Sequence, residues 1–242
     1  TVAVILVGNS SASQIYIKAK KKIAHRVGID FLFYHLPVGE QTELEQLLIT
    51  LHLDPSVHGV VLQLPLPNGL SVAKGLKFLD KTKDIDALNS DARFSPPTAA
   101  AVVELLNYYN ISYRQKEVVI VGHGMLVGQP LARMLTACRA IVNVYDDATK
   151  NIAAKVQRAK IIVSATGKPR LIDSRYVSKG QVIIDVGCAR DDITNQIIGD
   201  VDRGAVEGIV GAITPRLGGV GPITVALLMQ NVIIAAEKQN NS

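Results

Sequence analysis

The feature that most constrains this chain is a series of short, almost wholly apolar segments, rich in valine and isoleucine, recurring between stretches of helical length. Residues 2–7 (VAVILV), 59–64 (GVVLQL), 117–121 (EVVIV), 160–164 (KIIVS) and 181–186 (QVIIDV) lack the polar–apolar alternation of a strand with one face in water. Strands covered on both faces need no such alternation. With 30–36 and 140–145 they read as strands, and 13–27, 40–51, 98–109, 128–137 and 150–158 as helices between them. That order predicts an α/β fold of parallel sheets clad by helices. Residues 220–238 have the length and composition of one further helix.

The polar segment 109–116 follows a helix and precedes a strand that opens a glycine-rich turn, and it sets the domain boundary. The expected division is residues 1–112 with 222–242 in one α/β domain and 113–221 in a second, Rossmann-type domain, the C-terminal helix returning to the first. No run reaches the roughly eighteen apolar residues that suggest a membrane helix. The apolar start lacks a basic lead and a small-residue cleavage site, so a strand is expected there and the cytoplasm as compartment. Cys138 and Cys188 match neither a disulfide framework nor a metal-ligand spacing; buried, inert thiols and no metal are expected. A net charge of +5 comes from scattered residues and aromatics are 5%, so no nucleic-acid partner is expected.

Residues 118–128 run from strand through turn to helix, with glycines at Gly122, Gly124 and Gly128 and with His123 and Val127 in the turn. Glycines there let the backbone approach a pyrophosphate whose charge the helix N-terminus stabilises. Gly122 and Gly124 could instead merely shape a strand-to-helix turn. Asp146 and Asp147 tip the balance toward a dinucleotide. They follow the next strand, 24 and 25 residues beyond Gly122, near the spacing of a ribose-reading carboxylate. A carboxylate accepts from ribose hydroxyls and repels a 2′-phosphate, and no arginine stands in the turn, so NAD is favoured over NADP. One aspartate can cap the following helix while the other reads the ribose.

In the first half, Tyr16 and Lys20 are four apart and project from one helix face. A lysine serves as a base only when partly neutral, and Lys18, Lys21 and Lys22 are candidates for a cationic field that favours this. Alone, the pair reads as an ordinary amphipathic helix. Gln63 closes an apolar strand just before a proline-punctuated loop, where open α/β sheets bind ligands. Its amide fits a pterin edge or a lysine amine. Lys83-Asp84-Ile85-Asp86 is either solvated surface or a loop whose second carboxylate binds a guanidine-like ring edge.

Taken in order along nearly the whole chain, these segments resemble the bifunctional methylenetetrahydrofolate dehydrogenase/cyclohydrolase family. The resemblance runs through residues 4–8, 12–16 with Lys20, 58–65, 83–86, 127–130, 165–167, 182–187, 199–201 and 218–224. It implies that the first domain is a folate-binding catalytic domain and that folate lies between two domains, usually in a homodimer. The implied chemistry is hydride transfer from methylenetetrahydrofolate, then hydration to 10-formyltetrahydrofolate. By resemblance, Lys20 moves the proton in the hydration step, Gln63 tunes and positions it, and Ser13 supports it. Tyr16 packs on the folate and Asp86 holds the pterin. Gly218, Gly219 and Pro222 line the ligand, and Thr166 and Gly167 belong to the cofactor site.

Several positions depart from the family pattern. Ala87 stands where a glycine is usual, and the loop after it is shorter. Gly122-His123-Gly124 replaces a glycine-arginine-serine turn, and Tyr145-Asp146-Asp147 replaces cysteine-histidine-serine; both changes remove groups suited to a 2′-phosphate. Leu217, after Arg216, replaces a proline, and the sequence opens on a strand where the family has a leading helix. The alternatives are a dehydrogenase lacking the second activity and a nonenzymatic folate or NAD sensor.

Overall fold

The computed structural model describes residues 1–191, 196–216 and 218–241. They form two compact units, Thr1–Pro97 with Val225–Ser242, and Thr98–Thr224.

The first unit opens with β1 (Val2–Val7), α1 (Ser11–Arg26), β2 (Phe31–Leu36), α2 (Gln41–Leu53), β3 (Gly59–Leu62) and α3 (Val72–Leu76). Its parallel sheet has the order β2-β1-β3. Central β1 shows why the sequence does not alternate. Val2, Val4 and Leu6 pack with Ile17 and Ala24 of α1, while Ala3, Ile5 and Val7 pack with Leu44, Leu48 and Leu51 of α2. Both faces are dry, so every β1 position is apolar.

The second unit takes α4 (Pro97–Tyr108) beyond its first residue, so the polar segment 109–116 ends that helix rather than the first unit. Then come β4 (Glu117–Val121), α5 (Gly128–Ala137), β5 (Ile141–Tyr145), α6 (Ile152–Val156), β6 (Ile161–Ser164) and β7 (Val182–Asp185). After them follow β8 (Cys188–Arg190), β9 (Ile197–Gly199), α7 (Arg203–Val206) and β10 (Ala212–Ile213). The main sheet is parallel with the order β10-β7-β6-β4-β5, and β8 and β9 form a separate antiparallel ribbon. These last strands are too short to leave a periodic signal. The ribbon also corrects the reading of the cysteines: Cys188, at its start, is exposed, and Cys138, at the C-cap of α5, is half-buried.

The chain ends in α8 (Val220–Asn240), 21 residues long. By length and composition α8 is apolar enough to cross a membrane, with a mean hydropathy of 1.5. In the first unit its Val225, Leu228, Met229, Val232 and Ala235 pack on the β1 side chains Val2, Val4 and Leu6. Buried Asn231 donates to the carbonyls of Ile85 (2.8 Å) and Ser95 (2.9 Å). Those are the contacts of a core helix, the C-terminal return that the sequence predicts.

Candidate active site

In the first unit, α1 starts from Ser10, whose hydroxyl accepts from the Ser13 amide at 3.2 Å. That cap satisfies an otherwise orphaned donor of the first turn. Ser13, Ile17, Lys20 and Ala24 form the buried stripe of the helix, at the spacing of one face. A serine and a lysine therefore occupy positions that packing alone would give to apolar residues. Tyr16, one turn before Lys20, is 36% exposed beside the stripe.

The Lys20 ammonium donates to Gln63 Oε1 at 3.1 Å and lies 4.0 Å from Asp86 Oδ2. Gln63, the residue after β3, donates its amide nitrogen to the Leu64 carbonyl at 2.9 Å. This bond fixes the amide so that its oxygen faces the lysine. Lys18, Lys21 and Lys22 sit exposed on the outer faces of α1, so the expected cationic field is not what surrounds Lys20. The groups at its head are an amide oxygen and a carboxylate. The structure brings Lys20, Gln63 and Asp86 together.

Asp86 is held by residues whose roles the sequence hid. Lys83 is buried and donates to the carbonyls of Leu51 (2.9 Å), His52 (2.8 Å) and Asp54 (2.7 Å), closing the C-terminus of α2. Burial holds its ammonium pKa below the ordinary lysine value. Asp84, fully buried, accepts from the amides of Leu88 (3.1 Å) and Asn89 (2.7 Å), and burial raises its pKa. The loop is thus anchored at the consecutive residues Lys83 and Asp84, and Asp86 is the carboxylate left facing Lys20. Ala87 follows at φ 53, in the left-handed region. The glycine usual there in the resembling family is explained by that backbone.

In the second unit, β5 and β6 lie on opposite sides of β4, making β4 the topological switch point where parallel sheets bind nucleotides. Gly122 follows β4, Asp146 and Asp147 follow β5, and Ala165, Thr166 and Gly167 follow β6. All stand at carboxyl ends of adjacent strands. A Cβ on Gly122 would lie 2.3 Å from the Ala165 carbonyl oxygen, and one on Gly128 1.9 Å from that of Gly122. These two glycines shape the turn and bring α5 against the sheet. Gly124 and Gly167 differ, because a Cβ on either would meet nothing within 4 Å. Open space beside bare backbone suits a pyrophosphate, so the turn fits a dinucleotide. His123 is exposed and accepts through its carbonyl from Gln129 Nε2 at 3.1 Å, and Val127 is the N-cap of α5.

Asp146 closes a local turn, accepting from the Ala148 amide (3.1 Å) and the Thr149 hydroxyl (3.2 Å). It does not cap the next helix, which starts later, after Asn151. Asp147 meets Lys168 Nζ at 2.6 Å. A cation therefore stands at this edge, supplied from the end of β6 rather than from the turn that the sequence directs attention to. Thr166 is anchored from below: its amide donates to Asp200 Oδ2 (2.6 Å), which also accepts from the Ser164 hydroxyl (2.9 Å). Gly218 has φ 82, Gly219 and Gly218 precede α8, and Pro222 lies in its first turn, where a missing N–H costs no helical bond. Leu217 lies outside the described residues. No group of metal-ligating side chains occurs among the described residues.

Comparison with known proteins converges on one family. The catalytic domain of tetrahydrofolate dehydrogenase/cyclohydrolase matches residues 1–86, and its NAD(P)-binding domain matches residues 96–240. The bifunctional protein FolD of Caldicellulosiruptor saccharolyticus is 39% identical, over 99% of this chain and 91% of its own length. The bifunctional FolD methylenetetrahydrofolate dehydrogenase/cyclohydrolase structure from Campylobacter jejuni superposes with a TM-score of 0.90 at 38% identity, covering 98% of this chain and 88% of its own. A Trypanosoma brucei FolD structure, complexed with NADP cofactor and an inhibitor, gives 0.92 at 31% identity, covering 100% and 88%. The chain belongs to the tetrahydrofolate dehydrogenase/cyclohydrolase family.

Proposed function

We propose that this chain oxidises 5,10-methylenetetrahydrofolate to 5,10-methenyltetrahydrofolate with a nicotinamide dinucleotide and hydrolyses that product to 10-formyltetrahydrofolate. The observation that carries the reading is the Lys20 ammonium, buried in a core-facing stripe and held between Gln63 and Asp86. Burying a lysine is costly unless its ammonium is paired, and here Gln63 and Asp86 supply the partners.

Gly124, Thr166 and Gly167 line the dinucleotide on a turn that Gly122 and Gly128 shape, and the dinucleotide would supply the hydride acceptor. Oxidation then requires alignment and exclusion of water rather than a strong base. In hydrolysis, water adds to the bridging methenyl carbon, the carbon–N5 bond breaks, and the formyl group remains on N10. Lys20 relays one of the water's two protons to N5, the other leaves to solvent because the methenyl substrate is a cation, and Gln63 keeps the lysine nitrogen in place. Asp86 binds the pterin edge, Tyr16 packs on the aromatic body, and Ser13 fixes the start of the lysine-bearing helix face. Gly218, Gly219 and Pro222 contribute backbone to the ligand.

NAD is preferred to NADP, supported by Asp146 and Asp147 after β5 and by histidine rather than arginine at 123. The working form is a cytoplasmic homodimer. Absorbance-monitored oxidation of methylenetetrahydrofolate, run in parallel with NAD and NADP, tests the reading. Turnover with NAD ahead of NADP supports both parts, and turnover favouring NADP removes the preference alone. Absence of turnover by folded protein removes the activity.

A further inference from the structure

We propose that Lys168 is a specificity-determining residue that offsets Asp147 and keeps the site open to a 2′-phosphorylated dinucleotide. The inference rests on the dinucleotide assignment above and qualifies its preference for NAD.

In the sheet order β6-β4-β5, the strands carrying Lys168 and Asp147 are separated by β4. Two strand spacings are about 10 Å, yet Lys168 Nζ lies 2.6 Å from Asp147 Oδ1. Lys168 lies four residues past β6 and Asp147 two past β5, so the pair ties together the loops that follow the strands on either side of β4, at the carboxyl end of the sheet. The ammonium is held against the carboxylate proposed to read the ribose. A 2′-phosphate arriving there meets an ion pair rather than an uncompensated anion.

The base of the lysine is firm and its head is not. Its amide donates to Thr166 Oγ1 (3.1 Å), and the Thr166 amide donates to Asp200, which is fully buried. The paired heads are 51% and 79% exposed for Lys168 and Asp147, and ion pairs this exposed open readily. Lys168 can leave Asp147 for a phosphate without disturbing its anchor, and a phosphate is the stronger acceptor for an ammonium. With NAD bound, Asp147 turns to the ribose hydroxyls.

Calorimetric titration of the folded protein with adenosine 2′,5′-bisphosphate and with 5′-AMP tests this without turnover, since the two differ only by the 2′-phosphate. Lys168→Gln should lower the ratio of their affinities, bisphosphate over monophosphate, by about five- to tenfold, and Lys168→Arg should largely restore it. The NADP-to-NAD ratio of kcat/KM should fall in parallel. Equal weakening of both nucleotides would assign Lys168 a structural or general phosphate role and overturn the proposal, as would an unmoved ratio. Failure of either fragment to bind removes it as well. A wild-type preference for NADP would refute the stated cofactor preference but leave the effect of Lys168→Gln on the ratio intact.

Discussion

The candidate sites of the two units place their polar groups on opposite terms with solvent. In the first, Lys20, Ser13 and Asp84 are buried, with Lys20 held by Gln63 and Asp84 by the amides of Leu88 and Asn89. In the second, His123, Asp146, Asp147 and Lys168 are exposed, and the surface between them is glycine backbone. A group that moves a proton gains from a defined, dry setting. A surface that binds a charged, extended cofactor gains from accessible N–H groups and adjustable charges. The contrast separates chemistry from recognition, and it can be tested from both sides.

The largest expected effect lies on the buried side. Lys20→Met keeps the length and packing of the stem while removing the ammonium. Methenyltetrahydrofolate hydrolysis should fall by about 10²-fold or more, with dinucleotide affinity and melting temperature near wild type. Hydrolysis at the wild-type rate would remove Lys20 from the mechanism and with it the division between the two sites.

On the exposed side, Gly128→Ala and Gly124→Ala should fail differently. At 128 the new methyl meets the Gly122 carbonyl at 1.9 Å, and relief of that overlap should cost about 1–3 kcal/mol of stability, read by denaturant unfolding. At 124 it meets nothing. Stability there should change little while dinucleotide affinity falls, because the methyl occupies space left to the ligand. Equal stability losses would mean that Gly124, too, is structural.

Beside this exposed set stands a half-buried carboxyl that qualifies the contrast. Asp185 accepts from the amides of Asp200 and Val201, and its pKa is raised to about 7, first by burial and then by the like charge of Asp200, with Arg203 opposing. An unfolded aspartate releases its proton near pH 4. Between pH 4 and 7 the native protein therefore holds a proton that the unfolded chain has lost, and this group's contribution to stability declines as pH rises. The slope is at most about 1.4 kcal/mol per pH unit. Asp185→Asn should flatten the dependence of melting temperature on pH between about 4 and 7. An undiminished slope would place the titration elsewhere.

The sequence exposes this architecture unevenly, for physical reasons. The alternation of apolar runs and helices is legible because strands buried on both faces leave long valine and isoleucine signals, as β1 and β4 do. Lys20, Gln63 and Asp86 are legible through position: one lies on a helix stripe, one at a strand end and one in a loop. Their partners are not. Lys83 and Asp84 look like solvated charge until the α2 carbonyls and the Leu88 and Asn89 amides are seen to consume them. Lys168 escapes because it reaches Asp147 across an intervening strand, 21 residues away along the chain. Local pattern carries no information about such pairings.

The smallest expected effect concerns the loop that presents Asp86 to Lys20. Ala87 adopts φ 53, and a left-handed conformation costs a residue bearing a Cβ about 1–2 kcal/mol. Glycine would remove that strain but add backbone freedom to the unfolded chain, worth about 0.4–1 kcal/mol in the opposite direction. The balance favours Ala87→Gly by about 0.5 kcal/mol, or roughly 1–2 °C in melting temperature for a chain of this size. The neighbouring anchors, Lys83 and Asp84, do not depend on residue 87, so Asp86 should stay in place and KM for the folate should hold. A rise in KM without a loss of stability would show that the alanine helps to aim the carboxylate. The loop would then belong to the fixed chemistry of the first unit at every residue from 83 to 87.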